Sequence, residues 1–287
     1  MSNNCGTLFV VATPIGNLED MTRRAERVLA EVDYVAAEDT RRTRILLRHY
    51  GISARLRSLH EHNEEAQLDS VLGLLEQGES VALVSDAGTP LISDPGFRLV
   101  REARRRGLPV VPVPGASSVL AALSVAGLPT DRFSFEGFLS AKSAARRKQL
   151  DALSAEPRTM IFFESSHRIE AFIADMSAVF GAEREVTVAR ELTKTYETVR
   201  QGALGEVEAW LASDPNQRRG EFVVIVAGCA GPAAQPEAVV AGDDVLQALL
   251  EELPLKQATR LAARITGQPK NALYERALAL KSYKDNK

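Results

Sequence analysis

Short apolar runs that end abruptly in loops rich in glycine, proline and serine are the feature that most constrains this fold. The runs at 7–12, 80–85 and 109–113 are typical of strands buried on both faces of a parallel sheet. Helical patterns separate them, so the alternation predicts a doubly wound α/β layer. Because ligands bind at the carboxyl ends of such strands, the loops at 13–17, 85–96 and 114–118 are expected to form one small-molecule site.

The pattern of secondary structure changes after residue 126. Strands are predicted at 133–138, 159–163, 185–189, 197–201 and 221–227, with helices at 144–152 and 169–180, and their short connections predict a largely antiparallel sheet. A Gly/Ala/Pro-rich segment without periodicity then predicts a linker. We therefore expect an N-terminal α/β lobe (1–126), a second α/β lobe (127–229), a linker (230–242) and a C-terminal helical module (243–287).

Composition excludes several classes of protein. The 287 residues are 45% hydrophobic and 25% charged, which rules out a disordered chain or a fibre. Cys5 and Cys229 form no Cys-x-x-Cys pair and no Cys/His cluster, so we expect neither a zinc site nor any other metal site. The sequence contains no basic, apolar leader pattern and no apolar run near the ~18–20 residues of a membrane span. We expect a cytoplasmic protein without membrane contact.

The three loops indicate what kind of ligand they hold. Neither Gly-x-Gly-x-x-Gly nor the P-loop pattern is present, which argues against a dinucleotide or a polyphosphate. The loops and their flanks offer hydroxyls and carboxylates instead: Glu19, Asp20, Asp86 and Asp94. This polarity favours a cationic or neutral, nucleoside-like ligand.

Arginine clusters qualify the formal net charge of -3, which by itself argues against nucleic acid. Residues 41–57 contain six arginines and no acid, and further clusters lie at 98–106, 146–148 and 218–219. Any one cluster is by default a solvated helix face. Several together predict a localised RNA-binding surface, with Arg41, Arg42 and Arg44 as the first choice because they follow a strand of the predicted site.

Eight segments occur in the order and spacing of the tetrapyrrole-methylase superfamily: VATPIGNLEDMT, AAEDTRRTRILL, SDAGTPLISDPG, PGASS, FEGFL, FFESSHR, RELTKTYE and GEFVVIV. Within it, the chain resembles the ribosomal RNA small-subunit methyltransferase I family. The resemblance implies two α/β lobes with S-adenosylmethionine in the cleft between them, and a homodimer. It also implies 2'-O-methylation of a cytidine ribose at position 1402 of 16S ribosomal RNA, in the decoding centre of the small ribosomal subunit.

The resemblance also implies which residues hold the cofactor. They are Pro14, Gly16, Asp86, Ala87, Gly88, Thr89, Ala116, Ser117 and Phe163. Gly16-Asn17-Leu18 stands where porphyrin-type relatives have Gly-Asp-Pro, which disfavours a porphyrin substrate.

A general base for the weakly acidic ribose hydroxyl would add about 10²–10⁴-fold to the rate. Candidates are Glu38, Asp39, Glu164 and Lys194, although Lys194 between Glu191 and Glu197 also fits an ordinary surface ion-pair set. Arg168 and Arg190 are predicted phosphate contacts.

Two other functions stay open for this sequence. One is a methyltransferase for a tetrapyrrole or another small molecule, and the other is a non-catalytic RNA-binding factor of ribosome assembly. The C-terminal helices resemble a helix-turn-helix and carry Lys256, Arg260, Arg264, Lys270 and Arg276, which either bind RNA or pack on the rest of the protein.

Overall fold

The chain divides into two units, Met1–Cys229 and Ala230–Lys287. A computed structural model describes residues 5–60, 63–229, 242–266 and 273–278. Both predicted α/β lobes lie in the first unit, and each is built around its own sheet.

The described part of residues 1–126 contains a five-stranded, all-parallel sheet, as the buried apolar runs predicted. Its strands are β1 (Leu8–Val11), β2 (Tyr34–Ala37), β3 (Arg55–Ser58), β4 (Val81–Val84) and β5 (Val110–Val113), in the order β3-β2-β4-β1-β5. Its helices are α1 (Arg23–Glu31), α2 (Thr40–His49), α3 (Glu64–Glu76), α4 (Phe97–Arg105) and α5 (Ser118–Val125). Helix α1 begins after Thr22, whose hydroxyl accepts from the Ala25 N–H at 3.1 Å and caps the helix.

Helices cover both faces of this sheet. Helices α3 and α4 pack on one face through Leu72, Leu75 and Leu99, whereas α1 and α2 pack on the other through Leu29 and Leu47. The predicted doubly wound α/β fold is thereby confirmed.

Two elements of this lobe were not predicted. Strand β3 lies at the sheet edge inside the arginine-rich stretch, where Arg55 and Arg57 stack over the Tyr34 ring at 5.7 and 4.9 Å. Its alternating charged residues hide the strand signal, because an edge strand needs little apolar surface. Helix α5 is almost wholly apolar, so it shows no amphipathic period.

Residues 127–229, all of which the structure describes, form a second sheet in the order β6-β7-β10-β8-β9. The strands are β6 (Phe133–Gly137), β7 (Thr159–Ser165), β8 (Glu185–Arg190), β9 (Thr198–Ala203) and β10 (Glu221–Val226). Only β6 and β7 are parallel, so the predicted, largely antiparallel arrangement is confirmed. The helices are α6 (Ser143–Ala152), α7 (Ile169–Phe180) and α8 (Leu204–Ser213), the last of which was not predicted.

The two faces of the second sheet have different neighbours. Along β7, Met160 and Phe162 belong to the core formed with α6, α7 and α8. Ile161 and Phe163 lie on the other face, which packs against α5 of the first lobe. This face, directed toward the first lobe, borders the site described below.

The second unit contains α9 (Gly242–Glu252), α10 (Leu255–Thr266) and a helical segment at 273–278. Leu246, Ala262, Leu273 and Ala277 form its small core. The predicted linker, apart from Gly242, and residues 267–272 and 279–287 of the predicted helical module lie outside the described residues. No helix in the described part of the chain is long and apolar enough to cross a membrane.

Candidate functional site

Hydrogen bonds join the three predicted loops at the carboxyl edge of the first sheet. Thr13 and Gly88 exchange two backbone hydrogen bonds, of 2.9 and 3.0 Å. The Thr89 hydroxyl donates to the Ala116 carbonyl at 3.0 Å. The loops at 13–17, 85–96 and 114–118 therefore lie side by side, as the positions of their strands predicted.

The first loop also contacts the second lobe. A Cβ on Gly16 would lie 2.5 Å from Lys194 Cγ, so only glycine permits this approach. The Asn17 N–H donates to the Thr193 hydroxyl at 3.1 Å. Glu191 and Thr193 have positive φ angles of 51° and 65°, which marks the loop that carries Lys194 as strained.

A cavity of about 320 Å³, here called the interlobe cavity, lies between these loops and the second sheet. Most of its lining is apolar, and the polar side chains among its lining residues are those of Ser118, Glu164, Ser165, Lys194 and Glu221. The lining residues are Ile15, Ala87, Ser118, Phe138, Phe163, Glu164, Ser165, Ala189, Leu192, Lys194, Glu221, Phe222 and Val223.

Two neighbouring cavities share residues with it. The Asp94 cavity, about 160 Å³, shares Ala87, Ser118, Phe138 and Phe163 and adds Gly88, Thr89, Ile92, Ser93, Asp94 and Ser117. The α2 cavity, about 370 Å³, shares Ile15, Ala87, Lys194 and Glu221 and adds Pro14, Gly16, Leu18, Arg42, Thr43, Ile45, Leu46, His49, Ser85 and Asp86.

The predicted cofactor residues divide between these cavities. Ala87 and Phe163 line the interlobe cavity; Gly88, Thr89 and Ser117 line its extension toward Asp94. Ala116 contributes the carbonyl that holds Thr89. Pro14, Gly16 and Asp86 instead line the α2 cavity, on the other side of Ile15 and Ala87.

Glu38 is one of the four predicted general bases, and it lies beside Asp86. The Asp86 N–H donates to Glu38 Oε2 at 3.4 Å. Burial, followed by the negative charge of Asp86, raises the pKa of Glu38 above its usual value. Among the four candidates, Glu38 is the carboxylate that gains basicity from its surroundings.

Asp39 has a different role. Its carboxylate caps α2 by accepting from the Arg41 N–H at 2.8 Å and pairs with the Arg41 guanidinium at 2.7 Å. The side-chain hydrogen bond from Arg41 holds the pKa of Asp39 well below its ordinary value. A carboxylate held in this way is a poor proton acceptor.

Glu164 borders the interlobe cavity, but strand alternation places its side chain on the same face as Phe162, toward α7. There Oε1 accepts from Arg168 Nε at 2.7 Å and from the Ser165 N–H at 2.7 Å. The side chain is fully buried. Oε1 thus anchors the start of α7, whereas Oε2 is buried without a hydrogen-bond partner among the described residues. The role of Glu164 as a base stays a prediction.

Lys194 lies between the interlobe and α2 cavities. Its ammonium donates to Glu191 Oε1 and to Glu221 Oε2, each at 2.8 Å. Burial alone would lower the pKa of Lys194, but the two carboxylates outweigh it and raise the pKa. Lys194 is therefore held as a fixed cation, which favours stabilisation of negative charge over the predicted role as a neutral base.

The five predicted RNA-binding arginines fall into two groups. Arg41, Arg42 and Arg44 extend from α2 at the surface, where Arg42 pairs with Asp86 at 3.1 Å while its side chain stays 70% exposed. Arg168 pairs with Glu164, and Arg190 donates to the carbonyls of residues 196, 216 and 219. The last two guanidiniums thus hold protein groups, whereas those of α2 face solvent.

Asp94 was predicted only as one of the loop carboxylates and not as a site residue, yet it lines a cavity. Burial raises its pKa to about 6, and the negative charges of Glu38 and Asp86 contribute. The apolar lining residues Ile15, Phe138 and Leu192 were not named as site residues. Each lies within one of the segments that carry the resemblance, and that position was the available signal.

Groups of three or more metal-ligating side chains in a suitable arrangement are absent from the described residues. The site as described offers apolar surface, backbone groups, hydroxyls, carboxylates and one fixed cation.

Comparisons with known proteins agree with the geometry. The model of the tetrapyrrole (corrin/porphyrin) methylases matches residues 7–208, and the model of the RsmI C-terminal HTH domain matches residues 236–281. Among solved structures, the methyltransferase CobJ has a TM-score of 0.58 at 19% identity, covering 78% of this chain and 95% of that one. Diphthine synthase has a TM-score of 0.57 at 15% identity, covering 77% and 90%. These two structures share the fold.

Curated relatives are similar over nearly their whole length. Ribosomal RNA small subunit methyltransferase I of Pseudomonas aeruginosa is 57% identical over 96% of this chain and 98% of its own. The protein of the same name from Escherichia coli O157:H7 is 54% identical over 96% of both chains. This chain therefore belongs to the tetrapyrrole methylase family and, within it, to the ribosomal RNA small subunit methyltransferase I family.

Proposed function

We propose that this protein transfers a methyl group from S-adenosylmethionine to ribosomal RNA of the small subunit, at the 2'-oxygen of the cytidine at position 1402 of 16S ribosomal RNA. The observation that carries the proposal is the interlobe cavity, which lies at the carboxyl edge of the first sheet and opens past Lys194 to the arginine-bearing helix α2. The names of the close relatives support the substrate class.

The residues of the interlobe cavity fit this cofactor. Its mostly apolar lining suits an adenosine and a methionine chain, and Ser118 and Ser165 offer hydrogen bonds. The oxygens of Asp94 and Glu221 suit a positively charged sulfonium and ammonium. Apart from Lys194, no lysine or arginine lines the described cavity, so a polyphosphate has little to bind there.

When bound, the cofactor supplies a methyl group already activated by the sulfonium. The residues of this chain then have to align the acceptor oxygen, and alignment contributes up to ~7–11 kcal/mol of the barrier reduction. Ile15 and Ala87 line both the interlobe and the α2 cavity, which supports a path of the methyl group beside them.

Two side chains assist deprotonation of the ribose hydroxyl in this proposal. The fixed charge of Lys194 stabilises negative charge that develops on the acceptor oxygen. Glu38, whose pKa is raised by burial, is the base in this proposal, and it lies next to Asp86, which lines the α2 cavity.

The experiment offers labelled S-adenosylmethionine to the protein with 30S subunits, naked 16S ribosomal RNA and a porphyrinogen in parallel. We expect label in the ribosomal RNA, at a nucleotide whose 3'-phosphodiester resists alkali because its 2'-oxygen is methylated. Label on a base, or on the porphyrinogen alone, would overturn the proposal. Failure of calorimetry to detect S-adenosylmethionine binding would favour a non-catalytic RNA-binding factor.

Two further features belong to this proposal. We place the protein in the cytoplasm, where ribosomal subunits are its substrate, and we propose that it is a homodimer. Phe97 and Leu120 are about 60% exposed and Val125 is half exposed, which provides apolar surface on the first lobe for a second copy. Light scattering after size exclusion tests this, and a monomer at micromolar concentration would contradict the dimer.

A further inference from the structure

From the arrangement of the cavities, we propose that the α2 cavity is the acceptor-nucleotide site, with Ile45 and Leu18 as the apolar surface for the nucleoside and Arg42 as the phosphate contact. This inference deepens the proposed function and rests on it.

The first argument is position. The interlobe and α2 cavities meet at Ile15, Ala87, Lys194 and Glu221. In methyl transfer the S–CH3 bond breaks as the O–CH3 bond forms, the sulfur keeps the electron pair, and the hydroxyl proton leaves to a base. Donor and acceptor must therefore lie on either side of one narrow boundary, and these four residues form it.

The second argument is exposed apolar surface. Ile45 is 72% exposed on α2 and Leu18 is 39% exposed on the first loop, yet both line the same cavity. These two apolar side chains, in a cavity that also contains Arg42 and Lys194, give the flat face of a nucleoside a surface on which to pack. His49 lines the same cavity one turn further along α2 and adds a hydrogen-bonding ring.

The third argument is charge. Helix α2 carries Arg41, Arg42, Arg44 and Arg48 and no acid. Arg42 pairs with Asp86 at the surface, and an exposed pair of this kind contributes only about 0–1 kcal/mol, so its guanidinium exchanges readily to a phosphate. Arg44 and Arg48 line a cavity on the other flank of α2, about 460 Å³ in volume. A polynucleotide that crosses α2 meets a cation on both sides of the acceptor.

The test measures methylation kinetics of the full-length protein with 30S subunits. Ile45→Ala and Arg42→Gln should each raise the KM for 30S roughly tenfold, the factor that a loss of about 1.4 kcal/mol in binding produces. The Kd for S-adenosylmethionine should stay at the wild-type value. Val199→Ala is the matched control, because Val199 is an exposed aliphatic residue on β9 that lines neither cavity.

A photo-crosslink gives a second readout. With p-benzoylphenylalanine in place of Ile45, crosslinks to 16S ribosomal RNA should map to the methylated nucleotide or its immediate neighbours. If both variants keep the wild-type KM, or the crosslinks map elsewhere, the α2 cavity is not the acceptor site even though the enzyme methylates ribosomal RNA. If the wild-type protein methylates no ribosomal RNA at all, the proposed function itself has failed.

Discussion

Two arginine clusters look alike in sequence and differ completely in the folded protein. In α2, Arg41 and Arg42 are 83% and 70% exposed and make ion pairs at the surface. In α6, Arg146 is 2% exposed, and its Nε donates to Asp175 Oδ2 at 2.7 Å. Arg147 donates to the other oxygen of Asp175 at 2.6 Å.

The difference lies in the partners that the fold supplies. Asp175 of α7 is buried beside α6 and receives Arg146, Arg147 and the Ser143 hydroxyl. Burial alone would raise the pKa of Asp175, but hydrogen bonds from Arg147 and Arg146 lower it overall. Arginines at 146–147 therefore hold two helices together, whereas those of α2 remain available to a ligand.

The largest expected effect is on stability, at Arg146. Arg146→Ala leaves the buried Asp175 carboxylate with only part of its compensation, and we expect it to lower the free energy of unfolding by about 3–5 kcal/mol. Arg147→Ala removes a partner of the same carboxylate whose side chain is 53% exposed, and should cost about 1 kcal/mol or less. Urea unfolding followed by circular dichroism measures both; equal losses would contradict the assignment of the buried partner.

The next effect is on catalysis, at Lys194, which is more buried than the arginines of α2 and more exposed than Arg146. Lys194 is held by two carboxylates but borders two cavities, so Lys194→Met should lower kcat for ribosomal RNA methylation by about 10²-fold through loss of charge next to the acceptor oxygen. Lys194→Arg keeps the charge and should retain most of kcat. If the arginine variant is as slow as the methionine variant, Lys194 acts through packing of its loop.

A smaller effect concerns RNA affinity. Arg44 and Arg48 make no ion pair with any residue in the described ranges, so the double change Arg44→Gln/Arg48→Gln should leave stability unchanged. It should reduce the slope of log K against log salt by about 2 if each contacts one phosphate. Arg101→Gln/Arg104→Gln, on α4 at the opposite face of the sheet, is the charge-matched control. Equal slopes for the two double variants would show that α2 has no special role.

The last prediction concerns how stability depends on pH. The pKa of Asp94 is raised, whereas that of Asp175 is lowered. Because burial raises the pKa of Asp94 to about 6 from an unfolded value near 3.8, its ionisation opposes folding. Its contribution to stability is present at pH 4 and is lost as the pH rises through about 6. Asp94→Asn should remove this loss. The melting temperature of the variant, relative to that of the wild type, should therefore increase between pH 4 and pH 7. The exposed Asp131→Asn serves as control; parallel curves for Asp94→Asn and wild type would contradict the raised pKa.

Much of the fold was predictable because it follows from local patterns. Buried strands are recognisable in the sequence as apolar runs. Helix ends are recognisable by residues such as Thr22, which caps a helix start, and Gly78, which follows a helix end. Strand β3 and helix α5 escaped prediction, because an edge strand with alternating charges and a helix apolar on nearly every side lack the period that identifies them. Helix α8 was also not predicted, although Leu204, Val207 and Leu211 have helical spacing.

The candidate site was predictable to the level of its loops. Of the predicted cofactor residues, Ala87, Gly88, Thr89, Ser117 and Phe163 line the interlobe cavity or the Asp94 cavity, whereas Pro14, Gly16 and Asp86 line the α2 cavity. Which of them contact the cofactor stays a prediction. Because side chains alternate along a strand, Glu164 points toward α7, and this alternation can be derived from the sequence. The sequence does not show which face of the second sheet is directed toward the first lobe, so the direction of the Glu164 side chain could not be predicted.

By itself, then, the sequence determined the α/β class, the edge of the sheet where a ligand binds and the family to which the chain belongs, since each depends on residues near one another along the chain. Only the tertiary structure decided which charges are partners. Arg146 finds Asp175 29 residues away, and Lys194 finds Glu221 27 residues away. The strength of a charge in a protein depends on its burial and its neighbours, and both are set by packing between distant segments.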